Sequence, residues 1–396
     1  MIMTSIFDKC IGGYAQARDA REAGLYPYFI PLTNNEGTES IIGDRHLLMI
    51  GSNNYLGLTM HPKVRQAAIE AIETYGPSCT GSRFLNGTLE LHLELERRLA
   101  QWVGKEAAVV FSTGYQVNVG TISSLVGRGD FVITDKEDHA SIIDGCKMAL
   151  GTMKRYPHND MDALERALAG LPAEAGKLVV VDGVFSMGGD IAPLPDIIEV
   201  CQRYQAGLMV DDAHSVGVLG GGKGTAAHFG VTEQVDLIMG TFSKSFASLG
   251  GFIAGNAEVI EYVQHTARSL IFSASIPPAN AAAALAALDV MEAEPERIAR
   301  LNEIGAFMRQ RYRELGYNIG VSKTPIIPII IGDDTKTLLA WKALFEAGVY
   351  TNPVISPAVP PNLSLLRTSY MATHTDEQLE RVLQVMEKIG KELEII

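Results

Sequence analysis

Short, unbroken apolar runs that each lead to a polar cluster, separated by stretches of helical periodicity, constrain this chain most. Ala107–Phe111 leads into Ser112-Thr113-Gly114-Tyr115, and Phe131–Thr134 leads to Asp138-His139-Ala140-Ser141. Leu178–Val181 and Leu208–Val210 each end in an aspartate, Asp182 and Asp211. A short buried strand within Val235–Met239 stops at Gly240, and Thr241-Phe242-Ser243-Lys244-Ser245 follows. Strands that are apolar throughout are covered on both faces, and the helices between them supply the cover. The pattern predicts an α/β protein with a mostly parallel, doubly covered sheet. In such sheets ligands collect at the carboxyl ends of the strands, and every one of these polar clusters falls at such an end.

At 396 residues the chain is long enough for a major and a minor domain. Residues 1–45 read as an N-terminal arm, with a helical piece through Arg18–Ala23 and a polar turn at Asn34-Asn35-Glu36-Gly37. Residues 46–290 read as the large domain. They include a short strand at Leu47–Ile50, a helix from Pro62 to Tyr75, a Gly/Ser/Thr/Asn-rich loop over 76–87 and an amphipathic helix at Leu89–Val103. From 291 to 396 the composition shifts to a smaller α+β domain. It has a charged helix at Pro295–Leu315, strands at Ile326–Ile331 and Leu365–Tyr370, a helix at Lys336–Ala347, a Pro-rich loop at Pro353–Pro361 and a closing helix from Asp376.

A formal charge of −13 argues against a nucleic-acid partner and against electrostatic docking on anionic lipid. The four cysteines are scattered without metal-ligand spacing, so no metal is expected and free thiols in a reducing compartment are the simplest account. Asp8 and Lys9 stand where a signal peptide would need its apolar region, and the Ala-rich stretch from Ala279 is interrupted by Asp289. The chain reads as a soluble cytoplasmic protein.

Lys244 follows a buried strand directly, where desolvation penalises the ammonium. Many lysines near strand ends simply reach solvent. Desolvation also makes an amine neutral enough to form a Schiff base. Asp211 fits a helix-capping aspartate. It equally fits a buried carboxylate holding a protonated heteroaromatic nitrogen, with His214 three positions on to bind a ring oxygen. His139 fits an ordinary helix start or a ring stacked on a planar ligand. Ser112-Thr113-Gly114-Tyr115 fits a tight turn or a phosphate cradle of backbone N–H groups and hydroxyls. Gly217–Gly224 lacks the Ser/Thr and the preceding strand of a P-loop and reads as a flexible glycine turn. Taken together, the lysine, the Asp-x-x-His, the strand-end histidine and the glycine turn fit one cofactor, pyridoxal phosphate (PLP).

The motifs Asn53-Asn54-Tyr55-Leu56-Gly57, Gly81-Ser82-Arg83-Phe84-Leu85-Asn86-Gly87, Asp138-His139-Ala140-Ser141, Asp211-Asp212-Ala213-His214-Ser215 and Gly240-Thr241-Phe242-Ser243-Lys244-Ser245 resemble those of the α-oxoamine synthases. These are fold-type-I PLP-dependent transferases that condense an amino acid with an acyl thioester and release carbon dioxide. The resemblance runs from about Gly24 to the final helix. It implies that Lys244 binds the cofactor and moves protons at Cα, that Asp211 pairs with the ring nitrogen and His214 with the ring hydroxyl, and that His139 stacks on the ring. It implies phosphate contacts from Gly114, Tyr115, Ser186 and Thr241, with Ser273, Ala274 and Ser275 reaching in from the partner of a homodimer that shares its active sites. Arg367, with Asn54 beside it, is implied for the substrate carboxylate.

Gly81–Thr88, Gly183–Met187 and Phe272–Pro278 are most similar to members that take L-serine and palmitoyl-coenzyme A to 3-oxosphinganine, carbon dioxide and coenzyme A. Ile355 stands where some of those members carry arginine. Members that take glycine or alanine are the alternative within the family. A non-catalytic PLP-binding regulator is the alternative outside it, opposed by the acidic charge and the lack of a DNA-binding motif.

Overall fold

A computed structural model describes residues 5–12, 15–35 and 37–396. Seven strands make the central sheet: β1 (Ala107–Phe111), β2 (Phe131–Asp135), β3 (Thr152–Tyr156), β4 (Lys177–Asp182), β5 (Gly207–Asp211), β6 (Leu237–Thr241) and β7 (Gly251–Gly255). They lie in the order β1-β7-β6-β5-β4-β2-β3. All run parallel except β7, which pairs antiparallel with both β1 and β6.

Successive residues of each strand enter different cores, as a doubly covered sheet requires. Val109, Phe111, Val132, Val180, Met209 and Ile253 pack with Val117, Ile122, Ile142 and Val263 from helices on one face. Val110, Ile133, Val179, Val181, Leu208, Val210 and Phe252 pack with Leu95, Leu99, Leu164, Ile197 and Ala284 on the other.

Two strands of this sheet were not evident in the sequence. In β3, Thr-Met-Lys-Arg-Tyr is polar because it is an edge strand, partly exposed along most of its length. In β7, Gly-Phe-Ile-Ala-Gly begins with a glycine that packing demands. A Cβ on Gly251 would lie 2.8 Å from the Gly240 carbonyl oxygen and 2.9 Å from Gly114 Cα. The turn at 217–224 is a packed structure, not a flexible one. Trp102 Nε1 donates to the Gly222 carbonyl at 2.9 Å, and a Cβ on Gly224 would meet Asp212 Oδ2 at 2.1 Å.

A second core gathers Ile304, Met308, Tyr312, Ile327, Ile329, Leu366, Leu383 and Met386 from the C-terminal elements, together with Leu48 and Ile50. Leu365–Ser369 lies between Ile326–Ile330 and Asn352–Val354 in an antiparallel sheet. Val349–Tyr350 pairs parallel with Arg45–Met49, joining the early chain to the late one. Of the expected polar turn, Asn34–Asn35 pairs with Glu39–Ile42 as a two-residue strand, and Glu36 lies outside the described residues. Among the described residues no helix is long and apolar enough to cross a membrane.

The loop ahead of the helix Glu90–Val103 is pinned by a buried ion pair. Arg83 donates bidentately to Glu96, at 2.7 Å and 3.1 Å, while Glu96 Oε1 also accepts the Val110 amide at 2.8 Å. One carboxylate thus ties the 81–87 loop and its own helix to β1. Glu96→Ala would leave the guanidinium buried and unpaired, so it should cost about 3–5 kcal/mol. The urea midpoint reads this loss, and an unchanged midpoint would show that the pair does not hold the loop.

Candidate active site

The carboxyl ends of β1, β2, β4, β5 and β6 open on a cavity of about 270 Å³. Eight of the residues expected from the sequence line it together: Gly114, Tyr115, His139, Ser186, Asp211, His214, Thr241 and Lys244. Asn118 lines it too, and so do Asp182 and Ser141 from the strand-end clusters of the sequence pattern, none of the three with an expected role.

Lys244 is presented by the turn after β6, which the buried rings of Phe242 and Phe246 hold in place. Ser248 N donates to the Phe242 carbonyl at 2.8 Å and Ala247 N to the Lys244 carbonyl at 3.0 Å, closing that turn. The lysine is lowered to about 8, chiefly by burial; Asp211 and Asp182 oppose that shift, and Arg367 adds to it. A substantial share of the amine is therefore neutral near physiological pH.

Asp211 closes β5, and both its oxygens are engaged. Oδ1 accepts the Ala213 amide at 2.9 Å, and Oδ2 accepts Asn118 Nδ2 at 2.6 Å. Asn118 also donates to Ser141 Oγ at 2.8 Å, so one amide joins two elements at the floor of the cavity. Its signal was visible in the sequence: it lies four residues after Gly114, on the same face of the helix Gly114–Leu125 and among apolar neighbours.

Asp182, at the end of β4, accepts the His139 amide at 2.9 Å, and its own amide donates to Asp138 at 2.9 Å. Burial, then the neighbouring charge of Asp211, raises Asp182 well above the ordinary carboxylate range. His139 is lowered, first by burial. His214 is lowered further, by burial and then by the charges of Lys244 and Arg367, and stands neutral. Its Nδ1 lies 2.7 Å from the hydroxyl of buried Tyr55, a contact between residues 159 positions apart.

The helix Gly114–Leu125 starts at the cavity. Thr113 Oγ1 accepts the Gln116 amide at 3.2 Å as its cap, while the amides of Gly114 and Tyr115 precede the first intrahelical bond. Thr241 Oγ1 is 3.0 Å from Ser243 Oγ, so two hydroxyls stand beside that helix start. A Cβ at position 114 would lie 2.6 Å from Thr241 Oγ1, which is why glycine is required there. Free amides at a helix start with flanking hydroxyls form an anion site.

Arg367 arrives from the C-terminal sheet and is buried. Its Nε donates to the Ser186 carbonyl at 2.7 Å and one terminal nitrogen donates to Asn53 Oδ1 at 3.0 Å. The carboxamide facing the guanidinium is that of Asn53, whereas Asn54 Nδ2 turns to Thr59 Oγ1 at 2.8 Å. Ser273, Ala274 and Ser275 do not line the cavity of their own chain. Gln116 Nε2 donates to Ser273 Oγ, Ser112 Oγ to the Ala274 carbonyl, and the Ser275 amide to the Gly81 carbonyl.

An anion cradle, a buried carboxylate and a desolvated amine around one cavity match the phosphate, the protonated ring nitrogen and the aldehyde of PLP. The model of the family "Aminotransferase class I and II" matches residues 45–386. The chain is 51% identical over 378 residues to the serine palmitoyltransferase of Sphingobacterium spiritivorum, covering 95% of each chain. It is 45% identical to the 8-amino-7-oxononanoate synthase of Geobacter sulfurreducens, over 96% of this chain and 98% of that one. A solved serine palmitoyltransferase carrying PLP superposes with a TM-score of 0.97 at 36% identity, over 99% of this chain and 100% of that one. The chain therefore belongs to the class I and II aminotransferase family and, within it, to the α-oxoamine synthases, which are PLP-dependent acyltransferases.

Only the neutral amine can attack an aldehyde. The rate at which cofactor-free protein captures PLP, followed by absorbance, should rise as the pH approaches about 8 and level off above it. A rate that kept climbing towards the ordinary lysine range would contradict the desolvated amine.

Proposed function

We propose that the chain condenses L-serine with a long-chain acyl-coenzyme A, of palmitoyl length, to 3-oxosphinganine, carbon dioxide and coenzyme A. The observation that carries the amino-acid half is the buried Arg367, held between the Ser186 carbonyl and Asn53 and close enough to Lys244 to shift it electrostatically. A fixed guanidinium beside the reacting amine suits an amino-acid carboxylate that must stay oriented until it leaves as carbon dioxide. With Ile355 in the neighbouring loop, Arg367 is the cation we assign to that carboxylate.

PLP supplies the electron sink for the carbanion at Cα. In this reading Asp211 keeps the ring nitrogen protonated, His214 binds the ring oxygen and His139 stacks on the ring. Gly114, Tyr115, Ser186 and Thr241 hold the phosphate, and Lys244 binds the cofactor and then moves the Cα proton. Asn53, which accepts from Arg367, takes the place beside the carboxylate site expected for Asn54. We place Ser273, Ala274 and Ser275 against the phosphate of a homodimer partner, since they lie outside their own cavity; a catalytically competent monomer in sedimentation would remove that assignment.

The acyl half is supported by a second cavity of about 590 Å³ that shares Ser186 with the first, with Phe185, Met187, Val359, Leu363 and Leu365 in its wall beside the ionisable Lys136, Glu137, Asp138 and Asp190. Apolar burial is worth about 0.8 kcal/mol per methylene, so chain-length preference should be steep. The likeness to serine palmitoyltransferases at about half identity favours serine, and that to 8-amino-7-oxononanoate synthases keeps alanine as the competing substrate. The test pairs acetyl-, pimeloyl- and palmitoyl-coenzyme A with serine, glycine and alanine. Serine with palmitoyl-coenzyme A should give the highest kcat/KM. A maximum with alanine and pimeloyl-coenzyme A, or with glycine and acetyl-coenzyme A, would overturn the substrate reading while leaving the family intact.

A further inference from the structure

Tyr55 is fully buried, and the chemistry proposed above gives it no part. Its hydroxyl lies 2.7 Å from His214 Nδ1 and 3.2 Å from Asn53 Oδ1. Asn53 Oδ1 in turn accepts from Arg367 at 3.0 Å. Four side chains from three distant parts of the chain therefore form one line from guanidinium to imidazole.

A phenol has a single proton, so Tyr55 can donate to only one of its two neighbours. Three facts give that proton to His214. The contact to His214 is much the shorter, and 3.2 Å is long for an O–H donor. Asn53 Oδ1 already has a charge-assisted donor in Arg367. The imidazole is neutral in this surrounding, so one of its nitrogens carries a lone pair. With Nδ1 accepting, the ring proton must sit on Nε2. His214 lines the cavity, and among the described residues Nε2 has no hydrogen-bond partner.

We infer that Tyr55 is a positioning residue that fixes the tautomer of His214, keeping Nε2–H as a hydrogen-bond donor facing the cavity. The inference rests on the reading of His214 as the partner of the cofactor's ring oxygen. That oxygen needs a donor. The opposite tautomer would present it with a lone pair, and among the described residues nothing besides the Tyr55 hydroxyl contacts Nδ1 to exclude that form.

The test is nitrogen-15 spectroscopy of full-length, histidine-labelled protein, with PLP bound and after its removal; loss of a signal in His214→Gln assigns the resonance. In the wild type Nδ1 should show the unprotonated shift and Nε2 the protonated one in both forms. Tyr55→Phe should mix the tautomers and weaken PLP binding about fivefold, the value of one neutral hydrogen bond. A protonated Nδ1 in the wild type would overturn the inference whatever the variant does, as would an unchanged tautomer in Tyr55→Phe. If PLP failed to load at all, the reading of His214 would fall, while the cofactor-free spectra would still decide the tautomer.

Discussion

Two cations and two carboxylates share one poorly hydrated cleft, and the rest of the structure depends on that balance. Asp211 and Asp182 raise Lys244 and Arg367 lowers it, while Asp211 raises Asp182 and Lys244 lowers it. Removing the carboxyl groups that face Lys244 would leave its ammonium less compensated in a buried site, which is expensive in a protein interior. Burial is the largest influence on Lys244, Asp182 and His214 alike. The carboxylates temper the lysine, so the amine is reactive near neutrality without being permanently uncharged. The parallel sheet makes this arrangement possible. Its strands deliver Asp182, Asp211 and Thr241 to one edge from different parts of the chain, with the apolar cores screening them from behind.

Hydrogen bonds from the surrounding backbone set the directions of these charges. Asp211 is held by the Ala213 amide and by Asn118, and Asp182 by the His139 amide, so neither carboxylate is free to turn and neutralise the lysine. Close backbone approach does the rest. Gly114, Gly240 and Gly251 lie where a side chain would collide with Thr241, Phe252 or the neighbouring strand. The glycines at these positions answer a packing demand, and that packing brings the helix start of Gly114–Leu125 against the end of β6.

The fold and most of the site were legible in the sequence because both are written locally. A strand buried on both faces must be apolar throughout, so β1, β2, β4 and β5 stood out, and the polar residue that ends each one marked the cavity. Where the pattern weakens, physics explains it. β3 is an edge strand with charged residues, and β7 is bracketed by glycines that crowding requires. The partners of the site residues were harder to see. Asn118 was readable as a polar residue on an apolar helical face. The meeting of Tyr55 with His214, and of Asn53 with Arg367, spans much of the chain and follows only from tertiary packing. The proposed acyl cavity lies furthest from the local pattern, since its walls are built from loops such as Phe185–Gly188 and Ala358–Pro360.

Cofactor capture turns on one amine among many. Borohydride reduction of the PLP-loaded protein, followed by proteolysis and mass mapping, asks directly which nitrogen the cofactor occupies. A single phosphopyridoxyl label on the peptide containing Lys244 is the predicted result, because only that lysine combines a lowered proton affinity with a place at the cavity. A label on another lysine, or none on a protein that retains its yellow colour, would contradict it.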